Sequence, residues 1–227
     1  MSIAARWREV SANVARACER AGRSPTDVTI VAVSKTHPAS AVREAADAGA
    51  TDFGENYAQE LATKRGECPP ELRWHFIGHL QRNKAKLVAG HVALVHAVDS
   101  VDLAIELGKR AAVVQPVLVS VNLAGEATKY GLTAETAPAV ARAIAAAPNI
   151  RLDGFMTMPP PADDPEASRP VFEALRALRD QLATELGRPL PVLSMGMSAD
   201  YEVAIACGAT HVRIGSAIFG ARPVAAI

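Results

Sequence analysis

The sequence predicts a single-domain α/β fold, a closed (β/α)8 barrel of the TIM type with one extra helix at its N-terminal end. Three observations lead there. From residue 28 onward, short runs rich in valine and isoleucine alternate with longer alanine-rich segments that carry charge along one side. Eight such units can be counted, and several of the runs are apolar nearly throughout, as strands of a parallel sheet covered on both faces must be. Right-handed β-α-β connections then leave closure or double winding, and eight units favour closure. A barrel of this kind usually takes about 250 residues, so 227 residues leave no surplus for a second domain and the whole of 1–227 is assigned to one.

Ile3, Trp7, Val10, Val14 and Cys18 recur at steps of four, three, four and four, which places them on one face of an amphipathic helix that closes near Gly22. The strand runs that follow are VTIVAV at 28–33, TDFG at 51–54, RWHFIG at 73–78 and VALVHAV at 92–98. Four more begin at Pro116 (PVLVSVNL), Ile150 (IRLDGFMTM), Leu190 (LPVLSMG) and Thr210 (THVRIGS), each separated from its neighbour by a segment of helical composition. The proline-rich MPPPADDP at 158–165 falls where a strand end meets a helix start, the position of a βα loop.

Lysine plus arginine equals aspartate plus glutamate, 24 each, so no global field favours nucleic acid or a membrane surface. The cysteines, Cys18, Cys68 and Cys207, are odd in number and lack metal-ligand spacing, which suits reduced thiols in a cytoplasmic protein. The opening MSIAARWREV has no signal-peptide core, and no stretch is apolar long enough to span a bilayer. No metal site is expected, since the histidines and carboxylates show no HExxH-like pairing, and no strongly apolar exposed stretch argues against a monomer.

In such barrels the chemistry lies at the C-terminal ends of the strands. Lys35 closes the first strand, where an apolar setting lowers a lysine pKa and frees a nucleophile able to form an imine with an aldehyde. The alternative is a lysine that snorkels to solvent. The last two strands end in SMGMSADY (194–201) and RIGSAIFG (213–220), at the usual phosphate position of this fold, with Ser198 also placed to cap a helix. Ordinary capping and a turn at Gly215 would explain the same residues. Asn56, His75 and Asn122 also fall near strand ends and are candidates for the barrel mouth, although a histidine between Trp74 and Phe76 is more often a satisfied core residue. Arg82, Lys84 and Lys86 read as a solvated helix face.

Taken together, VAVSKTHP, FGENYAQEL, WHFIGHLQRNK, HAVDS, VNLAGEATKYGL, GFMTMPP and LSMGMSADYEVAIACGATHVRIGSAIFGAR resemble the pyridoxal phosphate homeostasis protein family, in order and over nearly the whole chain. The resemblance implies a barrel like the N-terminal domain of alanine racemase (fold type III of pyridoxal phosphate proteins) and one bound cofactor, pyridoxal 5'-phosphate, held as an internal aldimine on Lys35. By the same likeness the phosphate rests on Ser198, Gly215 and Ser216. Arg213 faces the pyridine nitrogen, where a permanent cation weakens the cofactor as an electron sink. Met195 or Met197 packs against the ring, Asn56 and His75 shape the pocket, and Lys129 resembles a lysine implicated in a second, weaker site. His37 stands where another lysine is frequent in the family, and the tail after Arg222 is short and apolar.

The implied role is a carrier that buffers the cofactor in vitamin B6 homeostasis and meets cofactor-dependent apo-enzymes only transiently. An amino-acid racemase would need a second base, in alanine racemases a tyrosine delivered by a separate C-terminal domain; Tyr57, Tyr130 and Tyr201 lie in no recognisable counterpart of that segment. A lysine-dependent aldolase usually places its lysine on a later strand.

Overall fold

A computed structural model describes residues 1–125 and 130–221. Its eight strands form a closed, all-parallel barrel in sequence order. They are β1 (Thr29–Val33), β2 (Asp52–Glu55), β3 (Arg73–Phe76), β4 (Leu94–Val98), β5 (Gln115–Ser120), β6 (Ile150–Met156), β7 (Val192–Ser194) and β8 (His211–Ile214). Closure is made by β1 against β8, with Thr29 opposite His211 and Ala32 opposite Ile214. Every strand run expected from the sequence supplies one of these strands, trimmed at its ends except that β2 extends one residue further, to Glu55, and β5 begins one residue earlier, at Gln115.

The helices are α1 (Ile3–Arg20), α2 (Ala39–Asp47), α3 (Ala58–Glu67), α4 (Val101–Arg110), α5 (Ala137–Ala145), α6 (Arg169–Glu185), α7 (Tyr201–Ala206) and α8 (Ser216–Phe219). The expected leading helix is α1. Ser2 Oγ caps it by accepting from Ala5 N at 3.2 Å, and Gly22 at φ 67° ends it where other residues would be strained. Its buried face, including Trp7, Val10, Val14 and Cys18, lies against α2, α7 and α8.

Two local expectations are corrected. The β3–β4 connection carries only a 3-10 helix, Arg82–Leu87, in which Ala85 is the single buried residue. Set among Arg82, Asn83, Lys84 and Lys86, Ala85 and the partly buried Leu87 are too few to present the stripe that holds a longer α-helix on a sheet. Ser198 does not cap α7. The cap position is Asp200, whose Oδ1 accepts from Met197 N at 2.7 Å while Oδ2 accepts from Ser168 Oγ at 3.0 Å. The carboxylate pins the turn before the helix, and the helix starts three residues beyond Ser198.

Strand alternation divides the core. Phe53, Trp74, Phe76, Val95, Phe155 and Leu193 turn outward and share one apolar cluster with helix residues such as Leu61, Leu103 and Phe172. Leu94, Ala97, Leu118, Met156 and Val192 form a smaller separate cluster inside the barrel. Alongside the buried Val31 and Val33, the interior also holds a polar group of side chains, Asp52, His75, His96, Ser194 and Arg213, all of them buried. The three cysteines are free and buried, and no helix among the described residues is long and apolar enough to cross a membrane.

Candidate functional site at the barrel mouth

Side chains alternate along a strand, so every second residue points into the barrel and the last inward residue of each strand lines its mouth. Extending that alternation past the strand ends gives Val33 and Lys35, then Asn56, Ile77, Ser120 and Asn122, Met156 and Met158, and Arg213 and Gly215. All ten line one cavity of about 700 Å³, together with His37, His79, Asp99, Tyr130, Met197, Ser198 and Ser216 among others. Residues following all eight strands meet there.

Lys35 lies half-buried in the turn after β1. Ser34 N donates to Gly54 O at 3.1 Å and His37 N to Ser34 O at 3.1 Å, which closes the turn. Thr36 takes φ 66°, a left-handed conformation that costs a non-glycine residue about 1–2 kcal/mol. A buried charge cluster holds this strained segment. Lys64 Nζ, on α3, donates to Ser34 O at 2.7 Å, to Glu55 Oε1 at 2.6 Å and to Glu60 Oε1 at 2.7 Å. Glu55 Oε1 also accepts from Ser34 Oγ at 2.6 Å, and Glu60 Oε1 accepts from Thr36 N at 2.7 Å. The residues on both sides of Lys35 are therefore tied to one ammonium and two carboxylates. Burial pushes the Glu55 carboxyl above its usual range, against the pull of Lys64 and Ser34.

Ser198 and Ser216 follow the ends of β7 and β8, with their hydroxyls 3.3 Å apart. Gly196 at φ 93° is the position in these loops that requires glycine, since a Cβ there would lie 2.6 Å from the Ala204 Cβ. Arg213 donates through Nη1 to Ser194 Oγ at 2.6 Å and through Nη2 to Thr157 O at 3.0 Å. Burial lowers its pKa to about 10, so it remains a cation at neutral pH. On the opposite side of the cavity, His79 stacks on Tyr130 with ring centroids 4.0 Å apart, and its Nδ1 lies 3.2 Å from Asp99 Oδ2.

Of the residues singled out from the sequence, Lys35, Asn56, Ser198, Arg213, Gly215 and Ser216 converge on this cavity, as do Asn122 and Met197. Two do not. Met195 is fully buried in the outer cluster, because Ser194 takes the inward position and turns its neighbour toward the helices. His75 is 1% exposed and lies one layer below Ile77, so it packs under the mouth without lining it. Lys129 and the tail after Arg222 lie outside the described residues. Sequence reasoning passed over Ile77, Asp99, Ser120, Met156 and Met158, and Tyr130 was considered only as a racemase base. Counting in twos from each strand would have found Ile77, His79, Ser120, Met156 and Met158; Asp99 and Tyr130 reach the cavity from loops and carry no such signal.

Residues 7–223 match the family model described as the alanine racemase N-terminal domain. A pyridoxal phosphate homeostasis protein of Pseudomonas aeruginosa is 46% identical over 225 residues, 97% of this chain and 96% of that protein. One of Aquifex aeolicus is 44% identical over 226 residues, 98% of this chain and 99% of that protein. Among solved structures, PipY of Synechococcus elongatus with PLP bound superposes with a TM-score of 0.81 at 33% identity, over 96% of this chain and all of that one. With a closed barrel, a mouth assembled from the matching motifs and relatives similar from end to end, the chain belongs to the pyridoxal phosphate homeostasis protein family, on the barrel of the alanine racemase N-terminal domain.

Proposed function

We propose that the cavity holds pyridoxal 5'-phosphate and that the protein carries or buffers this cofactor in the cytoplasm, as a monomer that hands it to apo-enzymes, without racemising amino acids. The carrying observation is that three chemically independent features converge on one cavity of about 700 Å³: a half-buried lysine, two facing hydroxyls and a buried cation. That volume falls within the range of small-molecule sites, about 300–1,000 Å³. Asn56 Oδ1, buried and without a hydrogen-bond partner, is an acceptor left over for a ligand donor. The names of the relatives and the PLP-bound PipY structure support the same cofactor.

Lys35 Nζ would be the covalent anchor in this reading, its amine holding the cofactor through the aldehyde carbon with water as the group lost. Ser198 and Ser216 donate their hydroxyl hydrogens to phosphate oxygens, and Gly215 leaves the backbone between them uncovered. Arg213, able only to donate, faces the ring nitrogen and keeps it unprotonated. The bound cofactor supplies an electrophilic carbon and an electron sink, and Arg213 weakens the sink; reversible storage follows more readily than carbanion chemistry.

The test is the visible spectrum of the protein with added pyridoxal 5'-phosphate, then borohydride reduction and peptide mapping. A pyridoxyl group on Lys35 is expected, lost in Lys35→Ala while weak non-covalent binding persists, with negligible interconversion of D- and L-alanine. An unchanged trapped adduct in Lys35→Ala would remove the assignment, and rapid alanine racemisation would replace the carrier with an enzyme.

A further inference from the structure

Below the mouth, four hydrogen bonds link Arg213 to Asp52 through the barrel interior. Arg213 Nη1 lies 2.6 Å from Ser194 Oγ, Ser194 Oγ 2.8 Å from His96 Nδ1, His96 Nε2 2.9 Å from His75 Nδ1, and His75 Nε2 2.8 Å from Asp52 Oδ1. The five residues come from β8, β7, β4, β3 and β2, and all are buried, between 0% and 5% exposed. Water does not compete for these groups.

The direction of every bond follows from the two ends. A guanidinium can only donate and an ionised carboxylate can only accept. Burial opposes ionisation of Asp52, yet hydrogen bonds from His75 and Thr51 outweigh it and hold the carboxyl below its usual range. His75 must then carry its hydrogen on Nε2, facing Asp52. A neutral His75 accepts at Nδ1, so His96 donates from Nε2. His96 accepts in turn at Nδ1, and the Ser194 hydroxyl donates to it while its oxygen accepts from Arg213. Reversing any link requires two lone pairs to face each other or a histidine to become a cation. Burial, with the field of Arg213, holds His96 well below its usual pKa and disfavours a cation at that ring; the neutral form of His75 is part of the inference itself.

We infer that Asp52, His75, His96 and Ser194 are positioning residues for Arg213, forming a one-directional hydrogen-bond chain that fixes both histidines as neutral Nε2–H tautomers and holds the guanidinium in the cavity floor. The chain joins a cation in the cavity to a carboxylate on the far side of the barrel interior, where Asp52 Oδ1 also lies 3.1 Å from Arg73 Nε. Its ligand consequence rests on the proposed reading of Arg213 against the cofactor ring. Its hydrogen positions do not.

Nitrogen-15 NMR of the histidine rings in the full-length protein, assigned with His75→Gln and His96→Gln, reads the tautomers directly. Both rings are expected as neutral Nε2–H at pH 7; an Nδ1–H tautomer or an imidazolium at either position overturns the inference, whether or not cofactor binds. A substitution pair then tests positioning. Gln at 96 can accept from Ser194 through Oε1 and donate to His75 through Nε2, whereas Leu can do neither. His96→Leu is expected to weaken pyridoxal 5'-phosphate binding about tenfold, the usual cost of orphaning buried polar partners, and to shift the visible band. His96→Gln should stay within about threefold of the parent, with the band in place. Equal behaviour of the two variants overturns the positioning role, and if His96→Leu fails to fold the tautomers of the parent protein decide alone. A parent protein that takes up no cofactor would sink the proposed function and leave the tautomer result standing.

Discussion

Lys64→Met tests how the structure holds its reactive turn. The methionine keeps most of the volume and removes the charge from a side chain only 5% exposed, beside a Glu55 that is 0% exposed. Glu55 would keep a single hydrogen bond, from Ser34 Oγ, and its Oε2 already lacks a partner. Removing one member of a buried ion pair costs about 3–5 kcal/mol because the other charge is left uncompensated. The deficit should depend on pH. Burial already raises the Glu55 pKa, and losing Lys64 raises it further, so the folded variant binds a proton that the unfolded chain does not. A group whose folded pKa is raised contributes stability that is present at low pH and lost as pH rises through that pKa. The penalty should therefore be largest near pH 8 and shrink as pH falls toward 5. Urea denaturation of the parent and variant at both pH values measures it from the midpoints at constant m. The double variant Lys64→Met, Glu55→Gln should recover most of the loss, since the fully buried charge is gone and only the partly exposed Glu60 loses its cation. A penalty below about 1 kcal/mol at pH 8, or one that grows on acidification, would refute the account of the cluster.

Two further outcomes follow from packing and charge. Gly78→Ala would place a Cβ 2.2 Å from Asn56 O, where backbone must move, so a loss of about 1–3 kcal/mol and a Tm lower by about 2–12 °C are expected. Thermal melting reads it, and an unchanged Tm would mean that β2 and β3 separate freely at the mouth. Acid should weaken the fold between about pH 6.5 and 4.5: burial holds His96 well below its usual pKa and His211 at about 3, so below pH 6.5 the unfolded chain takes up protons that these two residues refuse in the fold. Glu55, raised by burial, works in the opposite sense and reduces the slope below the two-proton limit of about 2.7 kcal/mol per pH unit. Stability that is flat or rises toward pH 5 in urea titrations would show those histidines to be charged inside the barrel.

Chemistry and connectivity explain what the sequence alone determined. Strand number, order and closure were legible because a parallel barrel imprints a repeated, local signal: apolar runs of strand length, each followed by a segment long enough to cross back. The convergence of Lys35, Ser198, Gly215 and Ser216 was legible for a related reason, since the active face of the fold lies at strand ends, whereas Arg213 was named from the family resemblance. The tertiary structure decided which neighbour faces inward. Met195 and Met197 differ by two positions, yet one is packed against helices and the other reaches the cavity, because Gly196, at φ 93°, stands between them and breaks the strand alternation. It also decided the supporting groups. Lys64 and Glu60 on α3 lie 29 and 25 residues from Lys35, and Asp52, His75, His96 and Ser194 come from four different strands; only closure of the barrel brings their polar atoms within hydrogen-bond distance. Such bonds depend on distances across the fold, and a sequence states no distance between residues that are far apart along it.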